Sequence, residues 1–597
     1  MTFNELRKNL RKDFDGLAQL KVAVLGDSAT QLLVQAIRGA GYDQQLDLIV
    51  YEADIDQVDR QILDVRSPLY SFRPDIVVIF ESGHQLLQKY NSTAIGDRVA
   101  FADLQLGRIR RLVDSLQRRD GINVIWSNYA EEDDGVFGNY ANKVHTSFIY
   151  QQRKLNYLLA EYAVANSRLF INDMSSIQNK MGRARLFSPP MYVNNGMLLS
   201  IDALPAVARS IVSIICAIQG KIRKCLVLDL DNTVWGGVIG DDGFDNIQLG
   251  GLGIGKAFTE FQHWVKKLQQ RGIIVCVCSK NTASVAKEPF ERHPDMVLRL
   301  KDIAVFMANW EDKRNNIRQI QQILNIGFDS MVFLDDNPLE RDMVRNRIPN
   351  ISVPDLPEDP AEYLECLYAL GLFETASYSS EDTARTEQYQ RESERVAAQQ
   401  SFDNAESFLR ELNMLSTVRP FDSYAIPRVA QLSQRTNQFN LRTVRYTEDD
   451  VREIVSSERY VTLAFSLEDK YGDYGLICAV IMEKRSLELF VDSWFMSCRV
   501  FNRGMESFVM NTVVEAANKM GCRTIWGEYI PTAKNVIVKD LFANYGFIQD
   551  SGLWRLDTSS YRARECFISL LSPSDSTSLP TSGVHYRQGL PQDAHAD

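Results

Sequence analysis

Short apolar runs that end in polar residues recur along the first half of the chain, and this pattern constrains the fold more than any other feature. The first five runs are KVAVLGDS (21–28), LDLIVYEAD (46–54), PDIVVIFES (74–82), INVIWSN (122–128) and RLFINDM (168–174). Continuous apolar strands that alternate with helix-like segments indicate a parallel sheet covered on both faces. Residues 1–218 are therefore predicted to form an α/β domain.

A second series of such runs begins after GKIRKC and comprises CLVLDLD (225–231), IIVCVCSKN (273–281) and SMVFLDDN (330–337). The segment AFTEFQHWVKKLQQRG between the first two has helical spacing and ends in glycine, as a crossover helix does. Ligands bind at the carboxyl ends of the strands in open parallel sheets. The polar ends of these three strands are thus expected to converge on one site in a second α/β domain, 219–375.

The remaining chain divides by composition into three parts. Residues 376–412 are charged and helix-prone, which is typical of a helical linker. Residues 413–570 mix strand-like runs, such as YVTLAFSLED and LELFVDSWFM, with the helix-like MESFVMNTVVEAANKMG, and predict an α+β domain. The polar segment 571–597 has too few apolar side chains to offset its ordering entropy and is predicted to be disordered.

Charge and cysteine usage exclude several classes of protein. The net charge of −11 argues against nucleic-acid or anionic-membrane partners, because phosphate polyanions would be repelled. The amino-terminal segment lacks the apolar region of a secretory signal, and the longest apolar runs are too short to span a membrane. Nine cysteines without a paired framework suit reduced thiols. We therefore expect a cytoplasmic protein.

The stretch LVLDLDNTVWGG (226–237) places two aspartates one residue apart at a strand end, where both face the ligand crevice. Asp229 could attack an electrophile, while Asp231 donates and then accepts the leaving-group proton. Asp335 and Asp336 end a separate strand. Clustered carboxylates repel one another unless a hard cation lies among them, so we expect these four aspartates to bind Mg²⁺.

Other polar residues near these strand ends are suited to holding a phosphoryl group. The Ser279 hydroxyl and the amides of Lys280 and Asn281 could contact its oxygens, and Thr233 is a further candidate. Lys313, in NWEDKRNN, would offset the charge of the anion and of the nucleophile. The run WGGVIGDDG predicts a small glycine-rich flap. The short intervals between the motifs leave no room for a large cap domain, so the site could admit a macromolecular substrate.

The order of these motifs, DxD, Ser, Lys and DD, resembles the haloacid dehalogenase superfamily. That resemblance implies aspartyl-phosphate chemistry, with Asp229 as nucleophile, Asp231 as general acid and base, Ser279 and Lys313 as phosphate holders, and Asp335 with Asp336 as magnesium ligands. The longer text KIRKCLVLDLDNTVWGGVIGDDG, with FLDDNPLER, QRTNQFNLRTVRY and SWFMSCRVFNRGME, is similar to the FkbH-like subgroup over most of residues 215–560.

The FkbH-like resemblance implies a glyceryl transferase/phosphatase. Such an enzyme draws a three-carbon unit from 1,3-bisphosphoglycerate, removes phosphate and loads the glyceryl group as a thioester on an acyl carrier protein for polyketide assembly, often through methoxymalonyl extender units. Two alternatives stay open: a phosphatase that acts on a phosphorylated sugar or glycan precursor, and a non-catalytic docking scaffold. Cys278, next to Ser279, could carry a thioester, although buried free cysteines such as Cys276 and Cys278 are more often core residues.

Both flanking regions resemble known enzyme folds. GDSAT (26–30) is similar to the first block of SGNH-type esterases, with Ser28 as the would-be nucleophile and Asn128 as a weak second element. The late Asp-x-x-His block of that family is missing, so we expect a retained fold without esterase activity. The third region resembles GNAT acyltransferases, in which the turn containing Arg499, Asn502 and Gly504 would bind the phosphopantetheine of a carrier protein or coenzyme A.

Overall fold

The computed structural model describes residues 2–571 except 380, 381, 384, 400–403 and 533. These residues form three sheets, two of them parallel and one mixed. No helix among them combines the length and the apolarity that a membrane span requires. The predicted disordered segment lies outside the described residues except for Leu571.

The first sheet has five parallel strands in the order β2-β1-β3-β4-β5, as the apolar runs predict. Successive side chains of β1 point to opposite faces, so Val22 and Val24 join one core and Ala23 and Leu25 the other. Helices cover both faces. The strands are β1 (Ala18–Gly26), β2 (Leu46–Glu52), β3 (Ile76–Phe80), β4 (Asn123–Ser127) and β5 (Leu169–Asn172), and the helices are α1 (Phe3–Asn9), α2 (Gln31–Asp43), α3 (Val58–Leu63), α4 (Pro68–Phe72), α5 (Gly83–Ser92), α6 (Phe101–Asp120), α7 (Phe148–Val164), α8 (Met174–Met181), α9 (Arg183–Leu186), α10 (Pro189–Asn195) and α11 (Leu204–Ile218).

The second sheet has four parallel strands in the order β8-β7-β6-β9. Three of them are the predicted runs, and β8 is an additional edge strand. No inserted domain separates these strands, which confirms the absence of a large cap. The strands are β6 (Cys225–Leu228), β7 (Ile274–Ser279), β8 (Val305–Ala308) and β9 (Met331–Leu334), and the helices are α12 (Ile239–Asp242), α13 (Gly253–Gln270), α14 (Ala283–Arg292), α15 (Lys313–Leu324), α16 (Pro338–Arg347) and α17 (Tyr363–Leu370).

Two helices occupy the predicted linker, namely α18 (Arg385–Gln399) and α19 (Ala405–Glu411). The first is not a free spacer. Its Tyr389 is buried in the core of the second sheet, while its Glu392 pairs with the buried Arg503 of the third region. Helix α18 therefore joins the second and third regions, and the exact domain boundaries stay predictions.

The third sheet is mixed, and nine strands with helices on both faces form it. The first four residues of β14 pair in parallel with all four residues of β15, and no pairing continues along the rest of β14. The Leu441 amide donates to the Trp494 carbonyl (3.3 Å) and the Ile530 amide to the Leu441 carbonyl (2.9 Å), so a separate segment fills the gap. The strands are β10 (Met414–Ser416), β11 (Val418–Arg419), β12 (Tyr460–Asp469), β13 (Gly472–Arg485), β14 (Glu488–Met496), β15 (Thr524–Gly527), β16 (Ile548–Asp550), β17 (Leu553–Asp557) and β18 (Ile568–Leu570), and the helices are α20 (Ala425–Arg435), α21 (Glu448–Ser456), α22 (Met505–Lys519) and α23 (Leu541–Asn544).

Candidate active site

The carboxyl ends of β6, β7 and β9 meet at one edge of the second sheet and bring three predicted carboxylates together. Asp229 follows β6, and Asp335 with Asp336 follows β9. One oxygen of each carboxylate lies within 4.8 Å of the others. Asp229 and Asp335 are buried, and Asp336 is half-buried. Grouped carboxylate oxygens are the donors that Mg²⁺ prefers, so this set fits the predicted ion.

Lys313 is the cation that neutralises part of this acidic group. It is the first residue of α15, and its Nζ lies 3.0 Å from Asp229 Oδ1 and 2.6 Å from Asp335 Oδ2. The lysine is itself only 4% exposed. The ammonium group therefore bridges two strand ends from inside the protein, where water screens the interaction weakly.

Burial and mutual repulsion shift the acidity of the whole group. Burial, and then the charge of Asp335, raises the pKa of Asp229 to about 6 against the opposing effect of Lys313. Burial also raises the pKa of Asp335 and that of Asp336. Burial alone would lower the pKa of Lys313, but its two carboxylate partners raise it well above its ordinary value. One cation does not satisfy three carboxylates, and a divalent ion would supply the missing positive charge.

Asp231 is not part of this group of three carboxylates, and its predicted role as a further metal ligand stays a prediction. Its Oδ1 accepts hydrogen bonds from Trp235 Nε1 (2.9 Å) and from the Ile239 amide (3.1 Å), and its Oδ2 accepts one from Asn281 Nδ2 (2.9 Å). Three donors thus fix the orientation of this carboxylate. Its predicted role as general acid and base likewise stays a prediction.

Trp235 is a site residue that the sequence reasoning did not single out. It is completely buried at the base of the flap. A buried indole N–H needs an acceptor, and the spacing of four residues from Asp231 is the signal that could have identified the pair.

Arg341 was missed as well. Its Nη1 donates to the carbonyl oxygens of Asp335 (2.8 Å) and Asp336 (2.7 Å) and fixes the turn after β9.

The predicted phosphate-binding residues lie around the same edge but differ in their availability. Ser279 ends β7, is 1% exposed, and accepts a hydrogen bond from Asn281 Nδ2 (3.2 Å). Thr233 is fully buried, and its Oγ1 accepts from the Asp336 amide (3.1 Å), so it supports the turn. The Nζ of Lys280 pairs with Glu340 Oε1 at 2.5 Å and is partly exposed. Their phosphate-binding roles stay predictions.

The flap has the tight turn that its glycines predict. Asn232 has φ +52° and Gly237 has φ +92°, both in the left-handed region. The Gly237 amide donates to Asn232 Oδ1 (2.9 Å) and closes the turn. A non-glycine residue at 237 would be strained in this conformation. Gly237 therefore allows the backbone to turn sharply after the strand.

Cys278 lies in the core, as buried free cysteines more often do, and its possible role as a thioester residue stays a prediction. It is completely buried, and its Sγ donates to the Lys313 carbonyl at 3.7 Å. Burial raises the pKa of this thiol well above its ordinary range, so the nucleophilic thiolate is disfavoured. Cys276 is buried in the same core. Both therefore contribute to the packing of this core.

Ser28 lies after β1 at the carboxyl edge of the first sheet, where its Oγ is buried and has no hydrogen-bond partner among the described residues. Its neighbour Asp27 is also buried, and burial with the nearby charge of Glu81 raises the pKa of Asp27 to about 8. His84 Nδ1 lies 3.0 Å from Glu132 Oε2. No described base contacts Ser28, and the expected lack of esterase activity stays a prediction.

The turn predicted to bind coenzyme A precedes α22. Asn502 (φ +59°) and Gly504 (φ +78°) are both left-handed, a conformation that asparagine tolerates better than most residues. Arg499 is buried, and its guanidinium bonds to Gln388, to Ser497 Oγ (3.2 Å) and to the Tyr474 carbonyl (3.5 Å). The arginine therefore faces the junction with α18.

Comparisons with known proteins agree with this geometry. The model of the family described as "FkbH, N-terminal domain" matches residues 21–216. The crystal structure of the N-terminal part of the protein BF1531 from Bacteroides fragilis, containing a phosphatase domain complexed with Mg, is 54% identical and covers 63% of this chain and 100% of its own, with a TM-score of 0.61.

Acetyltransferases align with a smaller part of the chain. The ribosomal-protein-S18-alanine N-acetyltransferase from Escherichia coli is 16% identical over 24% of this chain and 94% of its own, with a TM-score of 0.20. Spermidine N-acetyltransferase from Vibrio cholerae is 11% identical over 24% of this chain and 97% of its own, also with a TM-score of 0.20. No curated protein matches the chain. On the extent of its identity with the Bacteroides phosphatase domain, the chain belongs to the FkbH-like phosphatases of the haloacid dehalogenase superfamily.

Proposed function

We propose that this phosphatase is an Mg²⁺-dependent glyceryl transferase/phosphatase that loads a glyceryl unit from 1,3-bisphosphoglycerate onto an acyl carrier protein for polyketide biosynthesis. The observation that carries the proposal is the group of Asp229, Asp335 and Asp336 around Lys313 at a strand edge without a large cap. Such an edge has room for a small phosphate and for the arm of a carrier protein.

The residues at this edge divide the chemistry of phosphate removal. Asp229 attacks phosphorus and forms a phosphoaspartate, while the P–O bond to the glyceryl oxygen breaks. Asp231 delivers a proton to that leaving oxygen and then takes one from the water that hydrolyses the phosphoaspartate. Lys313 and Ser279 hold the phosphoryl oxygens. An Mg²⁺ ion held by Asp229, Asp335 and Asp336 would supply charge stabilisation for the transferred group.

Thioester formation is a separate substitution at carbon. The carrier thiol attacks the acyl-phosphate carbonyl, a C–S bond forms, and the C–O bond to phosphate breaks. The sum is one bisphosphoglycerate, one carrier thiol and one water giving one glyceryl thioester and two phosphates. The buried Cys278 takes no part in this scheme, and direct transfer to the carrier follows. Asn502 and Gly504 remain our candidates for contacts with the pantetheine arm.

The second candidate is a phosphatase for a phosphorylated sugar or glycan precursor. The same absence of a cap favours it, because an open edge also admits a bulky sugar phosphate. The two candidates share the steps at phosphorus and differ only in the fate of the organic group. Attachment of glycerate to protein therefore distinguishes them.

The test incubates the full chain with 1,3-bisphosphoglycerate, Mg²⁺ and a holo-acyl carrier protein, followed by intact-mass analysis of both proteins. The proposal expects a glyceryl adduct on the carrier and release of phosphate. Asp229→Asn is the matched control, since it keeps the shape of the side chain but removes the nucleophile. Phosphate release without any adduct on the carrier would favour the second candidate. Equal phosphate release by Asp229→Asn would refute both.

A further inference from the structure

A cavity of about 310 Å³ lies at the opposite edge of the catalytic sheet, where the second region, α18 and the third region meet. Lys224 directly precedes β6 and lines this cavity, whereas Asp229 directly follows β6 in the acidic group. At about 3.3 Å per extended residue, the two ends of this strand are roughly 16 Å apart. The cavity is therefore separate from the phosphatase centre.

Cations dominate the charged side chains that line this cavity. Six of its lining residues carry a positive charge, namely Lys224, Arg385, Arg428, Arg435, Arg499 and Lys534. The described carboxylates balance only some of them. Asp329 pairs with Lys534, and Asp382 beside the cavity is shared by Arg385 and Arg435.

Lys224 and Arg499 make no ion pair with any described carboxylate. The Nζ of Lys224 donates to the carbonyl oxygen of Arg435 at 2.8 Å. The hydrogen bonds of Arg499 likewise end on neutral oxygens. These two charges come from regions far apart in sequence, and the fold brings them into one cavity.

The pKa values of three lining residues reflect the electrostatic cost of grouping these cations. Burial, together with the neighbouring arginines, lowers the pKa of Lys224 to about 8. Burial and the charge of Arg385 lower the pKa of Arg435 to about 9. Burial also lowers the pKa of Arg499. A multiply charged anion in the cavity would offset this repulsion and could accept a hydrogen bond from Arg435 Nε, which is buried and has no partner among the described residues.

We propose that this cavity is a binding site for a small phosphate ester, separate from the substrate that the acidic edge dephosphorylates. A phosphate group carries enough charge and enough acceptor oxygens for several lysine and arginine donors. Apolar side chains, among them Met496, Phe439 and Phe501, also line the wall and would contact the carbon part of the ligand. The volume is at the lower end for small-molecule sites, which limits the ligand to a compact metabolite. The proposal goes beyond the proposed function, since binding here does not require the phosphatase centre.

The test measures the thermal unfolding of the full chain in EDTA at constant ionic strength, with inorganic phosphate, 3-phosphoglycerate or malonate as the probe. Removal of metal ions suppresses phosphate binding at the acidic edge. Saturating phosphate probes are expected to raise the Tm by about 2–4 °C, as a ligand that binds only the folded state does. Malonate, a dianion without phosphorus, distinguishes phosphate recognition from general attraction of carboxylates.

Lys224→Met removes one cavity charge and keeps an unbranched side chain that is one atom shorter. We expect this variant to lose the phosphate-dependent rise in Tm, to have an unchanged or higher Tm without phosphate, and to retain phosphatase turnover. Lys519→Met, an exposed lysine on α22, is the control that keeps the full response. Lys534→Gln, at the cavity rim, replaces Lys224→Met if that variant does not fold.

Three outcomes would overturn the proposal. The first is no rise in Tm with either phosphate probe in the unsubstituted chain. The second is an equal rise in the cavity variant and in the unsubstituted chain, which would place the anion elsewhere. The third is a rise with malonate that equals the rise with phosphate, which would make the cavity a general anion site.

Discussion

Replacing Lys313 with methionine tests whether one buried lysine holds the acidic edge together. Methionine keeps an unbranched side chain but removes the ammonium group, so Asp229 and Asp335 lose the cation that lies 3.0 and 2.6 Å away. The lysine and aspartate side chains are at most 8% exposed, and water cannot replace the missing charge without opening the site. Breaking a buried ion pair in this way costs about 3–5 kcal/mol.

Lys280→Met is the matched control for this variant. Its ammonium group pairs with Glu340 at 2.5 Å, but its side chain is 39% exposed. A pair at that exposure contributes about 0–1 kcal/mol. The two variants thus remove the same chemical group at similar distances from a carboxylate, and they differ in the burial of the lysine and in its number of carboxylate partners.

Hydrogen exchange followed by mass spectrometry measures the effect locally, which avoids treating a multidomain chain as a two-state system. In EDTA, amides of β6 and β9 in Lys313→Met are expected to exchange about 10² to 10⁴ times faster than in the unsubstituted chain. Mg²⁺ is expected to restore more protection in this variant than in the unsubstituted chain. Equal acceleration by Lys280→Met, or no acceleration by Lys313→Met, would refute the reasoning.

Burial determines the expected effects of three further substitutions. Asp229→Asn is expected to lower turnover of p-nitrophenyl phosphate by about 10³-fold or more, without a lower Tm, because a neutral isostere replaces a buried acid. Asp27→Asn is expected to stabilise the first domain above pH 8 in thermal unfolding. The pKa of Asp27 is about 8 in the native domain, against an ordinary value of 3.8, so the native domain loses stability as the pH rises between those two values. The stabilities of Asp27→Asn and of the unsubstituted chain should therefore become equal near pH 4. Cys278→Ala is expected to keep its phosphate release, and a loss of more than about tenfold would return the thiol to the mechanism.

Strand positions were predictable wherever a continuous apolar run is long enough to be buried on both faces. The run YVTLAFSLED coincides with β12, and the five runs of the first domain all lie on strands. Strand β8 was missed because its four residues, VFMA, lie at a sheet edge and are only partly buried. A segment that short has no periodicity that distinguishes a strand from a helix or a loop.

The composition of the candidate site was predictable, but the direction of each side chain was not. Strand ends place Asp229 and Asp335 at one edge by topology alone. The orientation of Asp231 depends on an indole four residues away and on Asn281, which lies 50 positions further along the chain. The cationic cavity likewise contains residues from three regions of the sequence, and no local sequence pattern predicts that these residues lie together.

The hydrogen bond from Trp235 to Asp231 gives this protein an internal spectroscopic reporter. The indole is shielded from water, and its N–H points at the carboxylate that we assign to proton transfer. The electronic state of the ring is therefore sensitive to where that proton resides. With fluorinated tryptophan incorporated, one of the seven indole resonances would follow the reacting centre through the catalytic cycle without an added label.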